Sequence, residues 1–528
     1  MRNFSSYGLI ETNHHYYAPR ENLRTSTIKQ LTGDQGGHYI TIWAPRQTGK
    51  STLMHQVVEQ IKKNNDFEVG MISLQSAKND KTDEEVFKTL LYELSITFNR
   101  SFAPIQAWKD LSRLFSKDYF EKPLILVIDE FDSLEEDFIN KFANEFRNIY
   151  LRRQSQTGMK SIEKSCLLHG LALIGVRSVL GIENVKGSPF NVQRSIHIPN
   201  LTSYEVKHIF NWYEKESNQS IDSQVIDRIY YEFSGHPGLT CWFGEVLTEK
   251  YNSEKHLPIT LKEFEIAFAA SLFALPNNTI MNIISKAKVS PYREVLLDLF
   301  QTDKKVPFTY DDIFFNYLYT NGVIDIDKED QISYYARFPS PFVQKRLFNY
   351  FSRDLFRYSG RLTDPFETID HIINDSGIHI KNLMQLYERY LAKNKNWLLK
   401  DAPTRKDLRI FEAVYHFNLY MFMHNFLSPY KAQVWPEFPT GNGKIDMIIK
   451  YGNQIYGIEL KSFTNERAYK EAISKSAQYA LELQVKSIAL VFFVDTIDDE
   501  NRQKYEKTHK DNATGIAVET IFISCGNT

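Results

Sequence analysis

The chain has three cysteines in 528 residues, Cys166, Cys241 and Cys525, and no two of them stand close together. With no CxxC pair, neither a zinc site nor a disulfide framework is indicated, and the usage fits a reducing compartment. An excess of charge is missing too. The formal net charge is -2, so the chain is no bulk polycation and any nucleic-acid binding must rest on local charge. Long apolar runs are absent: Leu124–Ile128 and Ile488–Val494 are strand-length and too short to span a bilayer. Met1–Gly8 is polar and lacks the apolar core of a signal peptide, so a cytoplasmic protein with no membrane partner is expected. No Pro/Gly/Ser-rich stretch is long enough for a disordered linker, and no solenoid repeat is visible.

What is there is the composition of a folded protein, 42% hydrophobic and 24% charged. The length exceeds one hydrophobic core and suggests three or four domains at roughly 150 residues each.

His38–Trp43 is a β-branched and aromatic run that predicts a buried strand. The octapeptide Ala44-Pro45-Arg46-Gln47-Thr48-Gly49-Lys50-Ser51 follows it directly. Thr52–Ile61 then places Leu53, Val57, Val58 and Ile61 at helical spacing. Strand, loop and helix in that order are the setting of a phosphate-binding loop, with Ala44 where the first glycine usually stands. Loop amides from Ala44 to Thr52 and the helix N-terminus would face the phosphates of ATP. Lys50 would reach the β- and γ-phosphates, and the Ser51 hydroxyl would ligate Mg²⁺.

A second apolar strand, Leu124–Ile128, ends in Asp129-Glu130. Asp129 would complete the Mg²⁺ shell, and Glu130 would polarise the attacking water. A third, Leu171–Val176, ends at Arg177, which either reaches a γ-phosphate or is a surface arginine after a strand. Ser234-Gly235-His236-Pro237-Gly238 is a turn between two helical stretches.

The series APRQTGKS, LILVIDE, LIGVRS and the GHP turn resembles the signal-transduction (STAND-like) branch of AAA+-type ATPases, over about Tyr16 to Tyr251. The resemblance implies a helical lid whose Gly-x-Pro turn, here at Pro237, contacts the nucleotide. It implies that Arg177 contacts the γ-phosphate and that Tyr16-Tyr17-Ala18-Pro19-Arg20 helps recognise the base. It also implies homo-oligomer assembly on activation.

Ser203–Asn218 and Asp222–Phe233 read as amphipathic lid helices. Thr260–Leu275, Pro291–Thr302 and Asp311–Asn321 read as helices, followed by a hairpin of Gly322–Ile324 and Gln331–Arg337. That is the order of a winged helix. Its candidate recognition helix is acidic and aromatic, which favours a packing module over a DNA reader. Phe348–Leu398 reads as a helical connector.

The C-terminal part reads α-β-β-β-α-β: a helix at Asp407–Phe426, strands at Gln433–Phe438, Ile445–Ile449 and Ile455–Leu460, a helix at Asn465–Leu483 and a strand at Ile488–Val494. Glu459 and Lys461, two apart on a strand, share a face, and a tight turn at Tyr451–Asn453 would pair Asp446 with them. Two carboxylates and an ammonium in one pocket suit metal-assisted phosphodiester hydrolysis, with Asp446 and Glu459 as ligands of Mg²⁺. Lys461 would position the nucleophile or offset charge. The bland alternative is an ordinary hairpin with charged residues. This segment is similar to the PD-(D/E)XK nuclease superfamily, over roughly Asp407 to Ser524. The similarity adds Glu412 on the first helix and Gln478 on the second as further site residues.

The expected fold is therefore α/β and multidomain: a P-loop parallel-sheet ATPase core (1–200), a helical lid (201–255), a winged-helix-like domain (256–350), a helical connector (351–400) and a restriction-endonuclease-like α/β domain (401–528). The expected function is an ATPase module, using ATP and Mg²⁺, that regulates a nuclease acting on DNA, in defence or mobile-element biology. Two alternatives stay open: a nucleotide-controlled scaffold with an inactive nuclease fold, and a DNA-stimulated ATPase that does not cleave.

Overall fold

The computed structural model describes residues 1–33, 39–175, 194–301, 305–330, 332–365, 367–406, 409–437, 446–463 and 465–526. They form two compact units, Met1–Ile283 with Thr309–Gly322, and Ile284–Phe308 with Val323–Thr528.

The first unit runs α1 (Glu21–Thr32), β1 (Tyr39–Trp43), α2 (Lys50–Lys62), β2 (Glu68–Ser73), α3 (Asp83–Phe98), β3 (Leu124–Asp129), α4 (Glu136–Ser155), β4 (Leu168–Gly175) and β5 (Arg194–His197). All its strand pairs are parallel, in the order β2-β3-β4-β1-β5. The strands are continuously apolar because helices cover both sheet faces. Leu124, Leu126 and Ile128 meet a core that includes Leu90 of α3 and Phe142 of α4. Ile125 and Val127 point the other way, towards Leu31 of α1 and Val57 of α2. Each such aliphatic side chain, fully buried, stabilises the unit by roughly 1.5–3 kcal/mol. This sheet brings the C-terminal ends of β1, β3 and β4 to one edge.

The lid follows as α5 (Ser203–Ser217), α6 (Ser223–Phe233), α7 (Pro237–Glu245) and α8 (Leu261–Phe273), and α9 (Asn278–Ala287) comes next. Thr202 with Glu205 and Thr260 with Glu263 form capping boxes that fix where α5 and α8 begin. Pro237 at the first turn of α7 lacks an amide that would have no helical partner there.

Beyond the lid come α10 (Tyr292–Gln301), β6 (Val306–Pro307), α11 (Ile313–Thr320), β7 (Asp325–Lys328), β8 (Tyr334–Arg337) and α12 (Pro341–Leu355). The three short strands form a sheet in the order β6-β8-β7. The first hairpin strand starts at Asp325, after the expected Gly322–Ile324. Gly322 has φ +72 and belongs to a turn, and pairing begins where Asp325 opposes Arg337 and accepts its guanidinium at 3.3 Å. Although it lies between β6 and β7 in sequence, α11 belongs to the first unit: Tyr319 packs on Trp43 at 5.7 Å between ring centres, and Gly322 lies against Pro45.

The second unit continues with a small hairpin, β9 (Ile373–Asn374) and β10 (Gly377–Ile378). Then come α13 (Ile380–Leu398), α14 (Glu412–Leu427), β11 (Gln433–Glu437), β12 (Asp446–Tyr451), β13 (Gln454–Ser462), α15 (Glu466–Glu482), β14 (Ser487–Val494), α16 (Asp499–Tyr505), β15 (Thr508–Lys510) and β16 (Ala517–Ser524). Its six-stranded sheet has the order β11-β12-β13-β14-β16-β15. β11, β12 and β13 are antiparallel neighbours, while β13, β14 and β16 run parallel. Among the described residues no single helix is long and apolar enough to cross a membrane.

Candidate functional site

The phosphate loop leaves β1 at Ala44 and enters α2 at Lys50. Two residues curl it, Gln47 with φ 57 and Gly49 with φ 88. Glycine adopts this left-handed backbone freely, whereas Gln47 carries strain of about 1–2 kcal/mol that its surroundings must hold in place. Thr48 is buried, and its hydroxyl donates to the Pro45 carbonyl at 2.9 Å. Lys50 Nζ donates to the main-chain carbonyls of Ala44 and Pro45, both at 2.8 Å. Burial lowers the Lys50 pKa to about 8, against the pull of Asp132, Glu130 and Asp129.

Ser51, Asp129 and Glu130 line one cleft with Arg46, Thr48 and Lys50. Asp129 ends β3 and accepts the Glu130 amide at 2.8 Å. Glu130 sits in left-handed backbone, φ 52. Its pKa is raised, first by burial and then by Asp132 and Asp129, which makes it a better proton acceptor than a free carboxylate. A hydroxyl and a carboxylate are the hard oxygen donors that Mg²⁺ takes, so Ser51 and Asp129 fit the ion.

Asp132, three residues beyond Asp129, was not picked out from sequence. Its carboxyl lies over Gly175 at the end of β4, where any β-carbon would come within 2.9 Å of it. The acidic pattern D-E-F-D and a glycine ending the third strand were the available signals.

The lid turn meets the loop directly. Gly238 N–H donates to the Gln47 carbonyl at 2.9 Å. His236 is the N-cap of α7, with Nδ1 accepting from Leu239 N–H at 3.2 Å. Burial lowers its pKa to about 4, with Lys50 lowering it further against main-chain hydrogen bonds at His236 and Arg46, so the ring is neutral. Pro237 lines a mostly apolar cavity with Tyr16, Tyr17, Ala18 and Arg20, and this cavity borders the phosphate cleft through Gln47, Thr48 and Gly49. Arg177 lies outside the described residues.

In the second unit, Asp446 and Glu459 stand directly opposite each other on β12 and β13. The side chain of Asp446 lies outside the described residues. Lys461 Nζ is 3.2 Å from Glu459 Oε1, and both side chains are buried, at 6% and 3% exposure. Glu459 Oε2 is buried too and has no hydrogen-bond partner among the described residues. A carboxylate oxygen left in this condition is costly unless a cation meets it. Among the described residues Glu459 is the one carboxylate placed here, and Lys461 already meets its other oxygen.

Glu459 and Lys461 pair with Leu490 and Phe492 of β14, so they share the sheet face that α15 covers. Gln478 is exposed on α15, whereas Ser476, Ala477, Tyr479 and Ala480 form its buried side. Helix phase therefore turns Gln478 away from the sheet that carries Glu459. Glu412 opens α14, the helix whose His416 packs on Phe493, on the opposite sheet face. There it joins burial, Asp495 and Glu388 in pushing the Cys525 thiol pKa up.

Residues 5–266 match the family model of the AAA-like domain. No curated protein matches the chain. Among solved structures, the chain is similar to a Walker-type ATPase of Pyrococcus abyssi, with TM-score 0.40, 15% identity, and coverage of 65% of this chain and 99% of that one. It is also similar to Cdc6p of Pyrobaculum aerophilum, with TM-score 0.36, 12% identity and coverage of 65% and 95%. A third is the RuvB Holliday junction branch migration motor of Thermotoga maritima, with TM-score 0.32, 13% identity and coverage of 59% and 90%. The phosphate loop, the acidic strand end and the lid turn all fall within the matched span, and residues 5–266 form an AAA-like, ATP-binding P-loop ATPase module.

Proposed function

We propose that this protein is a nucleotide-controlled nuclease, in which the AAA-like module licenses metal-dependent cleavage of DNA by the C-terminal α/β unit. The observation that carries this is the Glu459–Lys461 pair: two buried charges on one strand, with Glu459 Oε2 unmatched among the described residues and Asp446 directly across the ladder. Asp446 and Glu459 are the residues that would hold Mg²⁺, which supplies water activation and charge neutralisation at phosphorus when bound. Lys461 holds an ammonium where charge develops on the attacked phosphate. In the ATPase module Lys50 meets the phosphates, Ser51 and Asp129 suit the ion, and Glu130 receives a proton from water. Arg177 on the γ-phosphate, self-assembly on activation and a role against foreign DNA belong to the same proposal.

The test is cleavage of plasmid and linear DNA by the purified protein with Mg²⁺, with and without ATP. Wild type is compared with Glu459→Ala and Lys50→Ala. Cleavage is expected to vanish in Glu459→Ala and to lose its ATP dependence in Lys50→Ala. Full cleavage by Glu459→Ala would refute the site.

A second reading is favoured by the closed ion pair itself, because Lys461 already neutralises one oxygen of Glu459. In that reading the unit binds without cutting, and ATP turnover persists while no DNA product forms under any condition.

A further inference from the structure

Two residues beyond the AAA-like match line the phosphate cleft. Asn278 and Thr279, the first residues of α9, border it together with Lys50, Ser51, Asp129 and Glu130. They belong to the same compact unit as the loop. The cavity lined by Tyr16 and Pro237 shares Gly8, Gln47, Thr48, Gly49 and Thr52 with this cleft but is bordered by neither Lys50, Asp129 nor Glu130. The cleft thus carries Lys50 and the acidic strand end, and α9 is one of its walls.

The local chemistry suits an anion. Asn277 Oδ1 accepts the Ile280 amide at 3.0 Å and so caps the helix, whose first two residues border the cleft. Amides of a first helical turn have no partner within the helix, and the helix dipole is positive there. Asn278 is exposed and can donate its side-chain amide. Thr279 is buried, and its hydroxyl donates to Gln47 Oε1. The strained loop residue is thus held twice, by Thr279 through its side chain and by Gly238 through its main chain.

We propose that Asn278 is a specificity-determining residue that reads the terminal phosphate and so separates ATP from ADP, and that Thr279 is a positioning residue that fixes Gln47. Asn278 donates to a γ-phosphate oxygen, and a diphosphate leaves that donor unused. Thr279 acts earlier, on the shape of the loop that both nucleotides share.

The experiment measures Kd for Mg²⁺–ADP and for the Mg²⁺ complex of the β,γ-imido analogue of ATP, using the full chain. It reads nucleotide affinity alone, so its failure is separate from any failure of the nuclease reading. Asn278→Asp places a like charge beside the terminal phosphate and is expected to weaken the ATP analogue about tenfold, with ADP changed far less. Equal weakening of both nucleotides, or none, overturns the assignment of Asn278. If Asn278→Asp does not fold, Asn278→Ala carries the same test: its preference for the ATP analogue over ADP must fall, and an unchanged preference overturns the proposal. Thr279→Val keeps the shape and removes the donor, so both nucleotides should weaken alike, with Thr279→Ser restoring them. Wild-type affinities in Thr279→Val would remove its positioning role.

Discussion

Gly238 donates its amide to the Gln47 carbonyl at 2.9 Å, and a β-carbon at Gly238 would come within 2.6 Å of Gln47 Cβ. The lid helix and the phosphate loop are thus in contact through a position where a side chain would crowd Gln47. Two terms oppose each other in Gly238→Ala. Alanine is the better helix former by about 1 kcal/mol, whereas overpacking against a strained loop costs about 1–3 kcal/mol. Packing wins, and Gly238→Ala should bind nucleotide about tenfold more weakly with the fold retained. Titration of a fluorescent nucleotide checks this, and wild-type affinity would show that the contact is incidental.

Gly235, three residues earlier, should behave differently. It has φ +66, and a β-carbon there would lie 1.9 Å from the Leu201 carbonyl oxygen, whose own amide donates to the Gly235 carbonyl at 2.8 Å. Backbone cannot move aside as a side chain can. Gly235→Ala should destabilise the first unit by about 3 kcal/mol or more, seen as a lower Tm for the nucleotide-responsive transition. A Tm within a degree of wild type would contradict the geometry.

Lys50 makes nucleotide affinity depend on pH. Its pKa is about 8 where a lysine is ordinarily at 10.5, with burial as the main cause. A lowered pKa means the ammonium loses its proton early, and polyphosphate must restore it on binding. Affinity should be flat below pH 8 and fall above it, by about tenfold between pH 7 and pH 9. Asp132 is the strongest of the carboxylates holding the charge on Lys50. Asp132→Asn should therefore move the decline to lower pH. Calorimetry at pH 8.5 in buffers of different ionisation enthalpy should show proton uptake on binding, and none in Lys50→Arg. Proton release in wild type would reverse the sign and defeat the argument.

The phosphate loop and Asp129-Glu130 were legible because their chemistry is written in contiguous residues between strands of uniform apolarity. β1 and β3 fall where Tyr39–Trp43 and Leu124–Asp129 stand in sequence. The order from α14 to β14 was legible for the same reason, since Glu459 and Lys461 interrupt an apolar strand at period two, whereas α16, β15 and β16 were not read. What stayed hidden depends on contacts distant in sequence. Asn278 and Thr279 carry no motif, and only the return of the chain after α8 brings them to Gln47. α11 reads as a winged-helix element, yet Tyr319 and Gly322 join the ATPase unit through Trp43 and Pro45, a partnership that no local pattern records. Gln478 illustrates the opposite limit: a residue type expected at the site sits one position out of helical phase, and its neighbour Tyr479 takes the buried place.

Glu459 offers a test that needs no catalytic turnover. Its buried Oε2 lacks a partner among the described residues, and an unmatched buried acceptor should destabilise the second unit when divalent ions are withheld. Glu459→Gln keeps the shape, removes the charge and leaves an amide that can donate. In EDTA, without nucleotide, relief of the unmatched oxygen is set against the lost partner of buried Lys461, and the Tm of this variant weighs the two. Adding Mg²⁺ or Mn²⁺ should then raise the wild-type Tm and leave Glu459→Gln unmoved, because an ion bound only by the folded state stabilises it by mass action. Lys50→Ala should keep the wild-type response, which separates this site from the phosphate cleft. A metal-induced rise that survives in Glu459→Gln would place the ion elsewhere, and a strong loss of stability in EDTA would make the Glu459–Lys461 pair a structural ion pair.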